Sequence, residues 1–176
     1  MKIVNTNFFG LKKIKGRSYY DKRGFFRELF KEKLLKGYNF KFWCLSKSKR
    51  HVIRGLHIQK KIQQDLIVSV IKGEIFDVAL DLRKKSPTHG KCHLIKLSEK
   101  NCTSLIIPKG FAHGFCGLDK ENIILYGISN YRSKINEAGI LWNDNSLNIK
   151  WPTKKPIISK KDKKNISFKK FLSKNI

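Results

Sequence analysis

The chain has 176 residues, 40% of them hydrophobic, and a formal net charge of +26. This length favours one well-cored domain over two, and the hydrophobic content is ordinary for a globular protein. The apolar runs are too short for a membrane-spanning helix, and the first residues, MKIVNTN, lack the apolar centre of a signal peptide. We therefore expect a single domain over residues 1–176, located in the cytoplasm and without a membrane partner.

The positive charge comes mostly from lysine. Only seven of the 39 basic residues are arginines, and the lysines are spread along the chain without a stripe of interleaved aromatic residues. A nucleic-acid groove would gather cations and aromatic rings on one surface. The composition thus favours a solvated lysine surface and no nucleic-acid partner, while the overall charge favours a small anionic substrate.

The four cysteines are Cys44, Cys92, Cys102 and Cys116. They form no C-x-x-C pair and show no zinc-ligand spacing, which is typical of reduced thiols rather than of a disulfide framework. We expect them to be small buried hydrophobic residues.

Hydrophobic alternation predicts short strands at 2–5, 12–15, 25–30, 40–45, 52–59, 92–97, 104–107, 111–118 and 123–129. The stretches 66–71 and 74–82 are rich in β-branched residues and flank Lys72 and Gly73, a pattern that predicts a hairpin. A short helix is predicted over 31–36, closed by Gly37, and an amphipathic helix over 167–174. Many short strands at this spacing indicate an antiparallel sandwich or a small barrel.

The stretch 52–59, VIRGLHIQ, is an apolar strand interrupted by Arg54, Gly55 and His57. Arg54 and His57 would point to opposite faces of a regular strand, because successive side chains alternate. Gly55 allows a kink and a close backbone approach, so we expect the cation and the imidazole to converge on one site. The alternative is a half-buried histidine in a sheet, with Arg54 at the strand end.

Six motifs resemble one known family in both type and order: DKRGFFRE at 21–28, IRGLHIQ at 53–59, GEIFDVALDLR at 73–83, IPKGFAHGF at 107–115, WND at 142–144 and SKKD at 159–162. They are similar to those of the nucleotide-sugar 3,5-epimerases of the cupin superfamily, typified by dTDP-4-dehydrorhamnose 3,5-epimerase. The resemblance implies a mainly β, cupin-type antiparallel jelly-roll barrel with short peripheral helices and a C-terminal helix.

The same resemblance implies epimerisation at C3 and/or C5 of a nucleotide-linked 4-keto-6-deoxy sugar, without a cofactor or a metal, in the synthesis of deoxysugars for surface polysaccharide. Such chemistry needs a base on one face of the sugar, an acid on the other, and a group that holds the enolate oxygen. By resemblance, His57 is the base, Asp162 orients and charges its ring, and Tyr126 is the proton donor.

Substrate binding is implied in the same way. Arg23, Arg54 and Lys161 match positions that contact the diphosphate and nucleotide, while Phe26 and Glu28 match residues that recognise the nucleoside from a neighbouring subunit. The resemblance therefore implies a homodimer that exchanges its N-terminal strands. The further substrate-binding residues are Gln59, His113, Arg132 and Glu137.

The chain departs from the family pattern at several positions. Phe42 and Cys44 occupy the places of a Gln-x-Asn pair, and Arg132 follows Tyr131 where the family has a second tyrosine. The family's active-site lysine aligns with Leu66. A nearby lysine, Lys60, Lys61 or Lys72, could replace it from another backbone position, the substrate could differ, or catalysis could be slow or limited to one carbon. The last two are favoured, because none of these lysines is predicted to be fixed on the wall of the site.

Four alternative functions follow from the residues. A metal-dependent cupin would use His57 and His113, but Gln59 stands where the first cupin signature needs a second histidine. A non-catalytic sugar-nucleotide binder would explain Leu66, although His57, Tyr126 and Asp162 are all retained. A ketoisomerase that moves the ketone between C3 and C4 also relies on proton transfer, and a nucleic-acid binder is suggested by charge alone.

Overall fold

The computed structural model describes residues 1–174, in which fourteen strands form two facing sheets and a separate hairpin. The first sheet has six antiparallel strands, in spatial order β1 (Lys2–Asn5), β2 (Lys12–Lys15), β10 (Thr103–Ile107), β7 (Leu66–Lys72), β12 (Asn122–Ile128) and β5 (Phe42–Ser48). The second has the order β13 (Glu137–Gly139), β6 (Val52–Gln59), β11 (Phe111–Gly117), β8 (Glu74–Asp81) and β9 (Cys92–Ser98), with the short β14 (Ile157–Ile158) parallel to β6. This two-sheet arrangement confirms the predicted jelly-roll class.

The predicted hairpin over 66–82 is wrong. Strand β7 pairs with β10 and β12 in the first sheet, whereas β8 pairs with β11 and β9 in the second. Gly73 therefore turns the chain from one sheet to the other. It has φ +81°, and a Cβ there would lie 2.3 Å from the Glu121 carbonyl oxygen, so only glycine fits this corner.

The core lies between the sheets. Its largest cluster joins inward-facing residues of both sheets, among them Val68, Val70, Ile75, Leu105 and Phe115. A second cluster covers the opposite face of β8, where Val78 and Leu80 pack under the C-terminal segment. Both faces of β8 are thus buried, which explains its nearly continuous apolar sequence.

Helical structure is peripheral. Three 3₁₀ turns occupy Glu32–Leu34, Asn145–Leu147 and Asp162–Lys164, the first of them within the predicted helix over 31–36. The helix α1 (Phe168–Ser173) confirms the predicted C-terminal helix; its N-cap, Ser167, accepts a hydrogen bond from Lys170 N, and Phe171 is buried. Among residues 1–174 no helix is long and apolar enough to cross a membrane.

The sequence patterns missed three strands: β3 (Ser18–Asp21), and β13 and β14, which are only three and two residues long. Strand β4 (Gly24–Arg27), which overlaps the predicted strand over 25–30, pairs with β3 in an isolated two-stranded ribbon. The aromatic residues of the ribbon, Tyr19, Tyr20, Phe25 and Phe26, are 52–71% exposed in the single chain. Because the ribbon is exposed on both faces and packs on no core, its sequence does not alternate between polar and apolar residues, and no such pattern marks it as a strand.

Candidate active site

A groove of about 640 Å³ opens between the two sheets. One wall comes from β5 and β12, and the other from β6, β11 and the segment 157–162. Nine of the twelve predicted site residues line it: Arg54, His57, Gln59, His113, Tyr126, Arg132, Glu137, Lys161 and Asp162.

A β-bulge in β6 turns Arg54 and His57 into the same groove. His57 lies opposite His113 and Arg54 opposite Phe115, so three steps along β6 match two steps along β11. Gly55 makes this possible: its φ is +127°, and a Cβ would lie 2.6 Å from Gly114 Cα. Bulges re-aim side chains next to functional sites, and the predicted convergence of the two polar groups is confirmed.

His57 and Asp162 form a tight pair, with 2.6 Å between His57 Nε2 and Asp162 Oδ1. Burial raises the pKa of Asp162. The hydrogen bond and charge of His57 lower it by more, together with hydrogen bonds from Gly55 N–H and Ser159, so the net pKa lies below its ordinary value. The carboxylate is therefore ionised and can only accept, which places the ring proton on Nε2. Nδ1 is left as the proton-accepting nitrogen.

Tyr126 reaches the groove from β12, in the opposite sheet. Its hydroxyl lies 3.2 Å from Ser46 Oγ, and its ring meets the His113 ring edge-on at 6.4 Å. Burial raises the pKa of Tyr126 well above its ordinary value, with Ser46 opposing in part. The phenol is therefore neutral at physiological pH, with a proton to give.

A second histidine–carboxylate pair lies deeper in the groove. His113 Nε2 is 2.7 Å from Asp77 Oδ2, and the Asp77 side chain is fully buried. Asp77 Oδ1 has no hydrogen-bond partner among residues 1–174. This carboxylate therefore has a hydrogen-bond partner on one oxygen only.

A cluster of charges lies at one end of the groove. The buried Glu137 carboxylate accepts hydrogen bonds from Arg132 Nε at 2.7 Å and Nη2 at 2.6 Å, and its other oxygen pairs with Lys161. Burial raises the pKa of Glu137, but Lys161 and Arg132 lower it more, so the carboxyl is ionised. Two cations and one carboxylate leave this cluster with a net charge of +1.

Arg54 lies towards the opposite end of the groove. Its Nε donates to Ser48 Oγ at 3.0 Å and its Nη2 to the Lys47 carbonyl at 3.2 Å, which fixes the guanidinium at the β5–β6 connection. Gln59 supports the wall, since its Oε1 accepts from Ser133 N at 3.3 Å. Leu66 also lines the groove, so the wall is apolar at that point.

Arg23, Phe26 and Glu28 do not reach the groove within the single chain. Arg23 is paired with Asp21 and 85% exposed, Phe26 lies on the exposed ribbon, and Glu28 pairs with Lys31. Their predicted contact with substrate from a neighbouring subunit stays a prediction.

Sequence reasoning omitted three supporting residues from the site. Asp77 pairs with His113, Ser46 with Tyr126, and the Ser159 hydroxyl accepts a hydrogen bond from Asp162 N at 3.0 Å. A signal existed for Asp77, because a carboxylate inside an apolar strand must find a partner. All four cysteines were expected to be buried, which is right for Cys116 but wrong for Cys44, Cys92 and Cys102, which are half-buried. Cys44 lines the groove. No group of three potential metal ligands occurs among residues 1–174.

Comparison with known proteins finds relatives of similar sequence and similar fold. A family model described as dTDP-4-dehydrorhamnose 3,5-epimerase matches residues 5–170. The chain is 42% identical over 168 residues to dTDP-4-dehydrorhamnose 3,5-epimerase of Shigella flexneri, covering 92% of this chain and 93% of that protein.

Solved structures agree. The Bacillus anthracis dTDP-4-dehydrorhamnose 3,5-epimerase with TDP and PPi bound superposes with a TM-score of 0.90 at 40% identity, covering 95% of this chain and 99% of that one. The Legionella pneumophila dTDP-6-deoxy-D-glucose-3,5-epimerase in complex with dTDP-4-keto-L-rhamnose gives 0.89 at 38% identity, covering 94% and 92%.

The jelly roll and its groove are thus those of an isomerase of nucleotide sugars. More specifically, the chain belongs to the dTDP-4-dehydrorhamnose 3,5-epimerase family.

Proposed function

We propose that this protein epimerises dTDP-4-dehydro-6-deoxy-D-glucose at C3 and C5, giving dTDP-4-dehydro-L-rhamnose in the cytoplasm. One observation carries the proposal: a histidine oriented by a carboxylate and a neutral tyrosine enter one groove from opposite sheets. A base and an acid on opposite sides of a sugar ring are what inversion by proton transfer requires.

The reaction begins at a carbon next to the C4 ketone. His57 Nδ1 takes the proton from that carbon, and the C–H electron pair moves to form an enolate with its negative charge on the C4 oxygen. Asp162 stabilises the imidazolium that forms, because its depressed pKa keeps it anionic. Tyr126 then donates its proton to the opposite face of the carbon, and the ketone re-forms.

The environment of each group suits its role. His57 is oriented with one nitrogen free to accept a proton, and Tyr126 holds its proton because burial disfavours the phenolate. His57 then releases the proton that it took to solvent, and Tyr126 takes up a proton from solvent in place of the one it gave, so the catalyst is unchanged after each turnover.

The substrate's diphosphate binds at the Arg54 end of the groove. A guanidinium can grip phosphate oxygens in bidentate fashion, and Arg54 is already fixed by Ser48 and Lys47. The sugar then extends past His57 and Tyr126 towards Glu137 at the other end.

Product analysis by NMR tests the proposal. Purified protein with dTDP-4-dehydro-6-deoxy-D-glucose should yield the L-rhamno product, with inverted configuration at C3 and C5. A product with the ketone at C3 would identify a ketoisomerase instead, and an unchanged substrate with tight dTDP binding would identify a non-catalytic binder.

A second candidate is an epimerase that inverts one carbon only. The apolar wall at Leu66 favours it, because fewer donors to the enolate oxygen make each proton transfer harder. The same NMR spectra separate the two: inversion confined to C3 or to C5 supports the single-carbon enzyme.

The functional unit is a homodimer in which the N-terminal ribbon of each chain covers the groove of the other. The isolated ribbon with four exposed aromatic residues supports this arrangement, since exposed apolar surface of this kind marks an interface. Arg23, Phe26 and Glu28 would then complete the nucleotide site in the partner.

Sedimentation at micromolar concentration measures the assembly. We expect a dimer, and we expect Phe26→Asp to weaken both the dimer and dTDP binding, whereas Lys169→Asp, on the exposed face of α1, should alter neither. A fully active monomer would contradict strand exchange.

A further inference from the structure

Proton removal next to the C4 ketone leaves a full negative charge on the C4 oxygen. An oriented donor at such an oxygen is commonly worth about 10²- to 10³-fold in rate. His57 and Tyr126 are committed to proton transfer, and His113 Nε2 is paired with Asp77. The donor must therefore be another residue of the groove.

Three cations line the groove: Arg54, Arg132 and Lys161. Arg54 is fixed at the β5–β6 connection, where the diphosphate binds. Arg132 and Lys161 lie at the opposite end, which the sugar approaches, and both contact Glu137.

Hydrogen bonds hold the backbone that leads to Arg132 beside Leu66. Leu66 pairs with Ile128 at the end of β12, and Ser129 N then donates to the Asp65 carbonyl at 3.0 Å. Gln64 Nε2 donates to the carbonyls of residues 130 and 131 at 2.8 and 3.1 Å. The arginine thus leaves the chain next to the apolar stretch of wall at Leu66.

The guanidinium of Arg132 is turned into the groove. Glu137, which holds it, lies opposite Gln59 in the β13–β6 pairing, two residues beyond the base His57. From the other wall, the positive charge of Arg132 opposes the burial that raises the pKa of Cys44, the residue paired with Tyr126. Arg132 therefore lines the groove near both walls, and 56% of its side-chain surface is exposed.

Glu137 directs this cation without neutralising it. Arg132 uses Nε and Nη2 towards Glu137, while Nη1 makes no hydrogen bond with residues 1–174. The cluster keeps a net charge of +1, because Lys161 shares the same carboxylate. A positive group with one free donor, held by a buried anion, is suited to an oxyanion.

We propose that Arg132 is the catalytic cation that stabilises the enolate oxygen, an inference that rests on the proposed epimerase function. Glu137 is its positioning residue. The apolar wall at Leu66 then needs no cation, because the charge reaches the same oxygen from the neighbouring loop.

Steady-state kinetics and solvent-deuterium exchange at C3 and C5 test this with dTDP-4-dehydro-6-deoxy-D-glucose. For Arg132→Gln we expect kcat to fall about 10²-fold with the exchange rate, while KM and dTDP affinity change little. Arg132→Lys should retain part of the activity. The matched control is Arg50→Gln, which removes the same charge from a residue that bonds the Leu118 carbonyl outside the groove, and it should behave as wild type.

A rescue variant separates chemistry from folding. Leu66→Lys places an ammonium in the neighbouring wall, so the double variant with Arg132→Gln should recover at least tenfold in kcat over Arg132→Gln alone. Wild-type kcat in Arg132→Gln, a rise in KM alone, or no rescue would overturn the role of Arg132. An inactive wild type would instead refute the proposed function, and the inference with it.

Discussion

The groove contains two histidine–carboxylate pairs of nearly equal length, and they differ in what surrounds them. His57 is 33% exposed and its partner Asp162 is held by Ser159 and Gly55, whereas His113 is 13% exposed and its partner Asp77 has one unpaired oxygen. Distance alone therefore does not define a catalytic base. Exposure to the groove and the groups that stabilise the carboxylate distinguish the first pair from the second.

The difference assigns the two pairs different tasks. His57 can take a proton from substrate and pass it to solvent, because its ring reaches the open groove. His113 packs edge-on against Tyr126 and is better suited to orient that ring and to contact the sugar. Variants of the two pairs test this division of tasks.

Replacing each histidine in turn should give the largest difference in kcat between the two pairs. His57→Asn should lower kcat by about 10²- to 10⁴-fold, because it removes the base. His113→Asn should lower it less and raise KM, since it removes a contact and not the base. Steady-state kinetics with circular dichroism as the folding control checks both; equal losses in kcat would contradict the division of tasks.

Tyr126→Phe should block protonation while leaving the base in place. We expect a loss of about 10²-fold or more in product formation. Exchange of substrate protons with deuterium oxide should fall less than product formation, because His57 can still remove and return a proton on its own face. An equal loss of exchange and product would assign Tyr126 to proton removal as well.

Replacing Asp162 should lower kcat more than replacing Asp77, as for their partner histidines. Asp162→Asn leaves the imidazole present but less well oriented and less basic, so we expect a loss of about 10- to 100-fold in kcat. Asp77→Asn should cost less than tenfold. If kcat depends more on Asp77 than on Asp162, the deeper pair is the catalytic one.

The smallest expected effect is a pH dependence of the free energy of unfolding. The folded-state pKa of Asp162 is depressed, so its stabilising contribution is present above the unfolded value of about 3.9 and is lost as pH falls below it. Asp162→Asn should therefore lower the free energy of unfolding by about 1.5–3 kcal/mol at pH 7.

Urea unfolding at pH 7 and near pH 3 measures this difference. The gap between wild type and Asp162→Asn should narrow at the lower pH. A gap that stays constant with pH would mean that Asp162 contributes no charge-dependent stability.

Local sequence patterns predicted most strands but not their partners. The alternation in 92–98 and 111–117 and the β-branched runs beside Gly73 mark strands because side chains alternate across a sheet. The supposed hairpin at Gly73 failed because both of its arms are buried, and apolar residues on both faces specify no particular neighbour. The crossing between sheets is decided by packing that lies far away in the sequence.

The site was predictable from sequence where its residues are neighbours in the chain. Arg54, Gly55 and His57 are close in sequence, and the bulge that joins them follows from one glycine. The Arg132–Glu137–Lys161 cluster was predicted only as separate residues, because a loop, a short strand and the C-terminal segment bring its members together. The contacts among these three residues depend on the tertiary structure and not on any local sequence pattern.

Deuterium incorporation in His57→Asn and His113→Asn shows which of the two histidines is the base. Wild type should label dTDP-4-dehydro-6-deoxy-D-glucose at both C3 and C5 in deuterium oxide, and His113→Asn should still label both carbons, though more slowly. His57→Asn should label neither carbon above the uncatalysed rate. Continued labelling by His57→Asn together with its loss in His113→Asn would contradict our account and make the deeper pair the base.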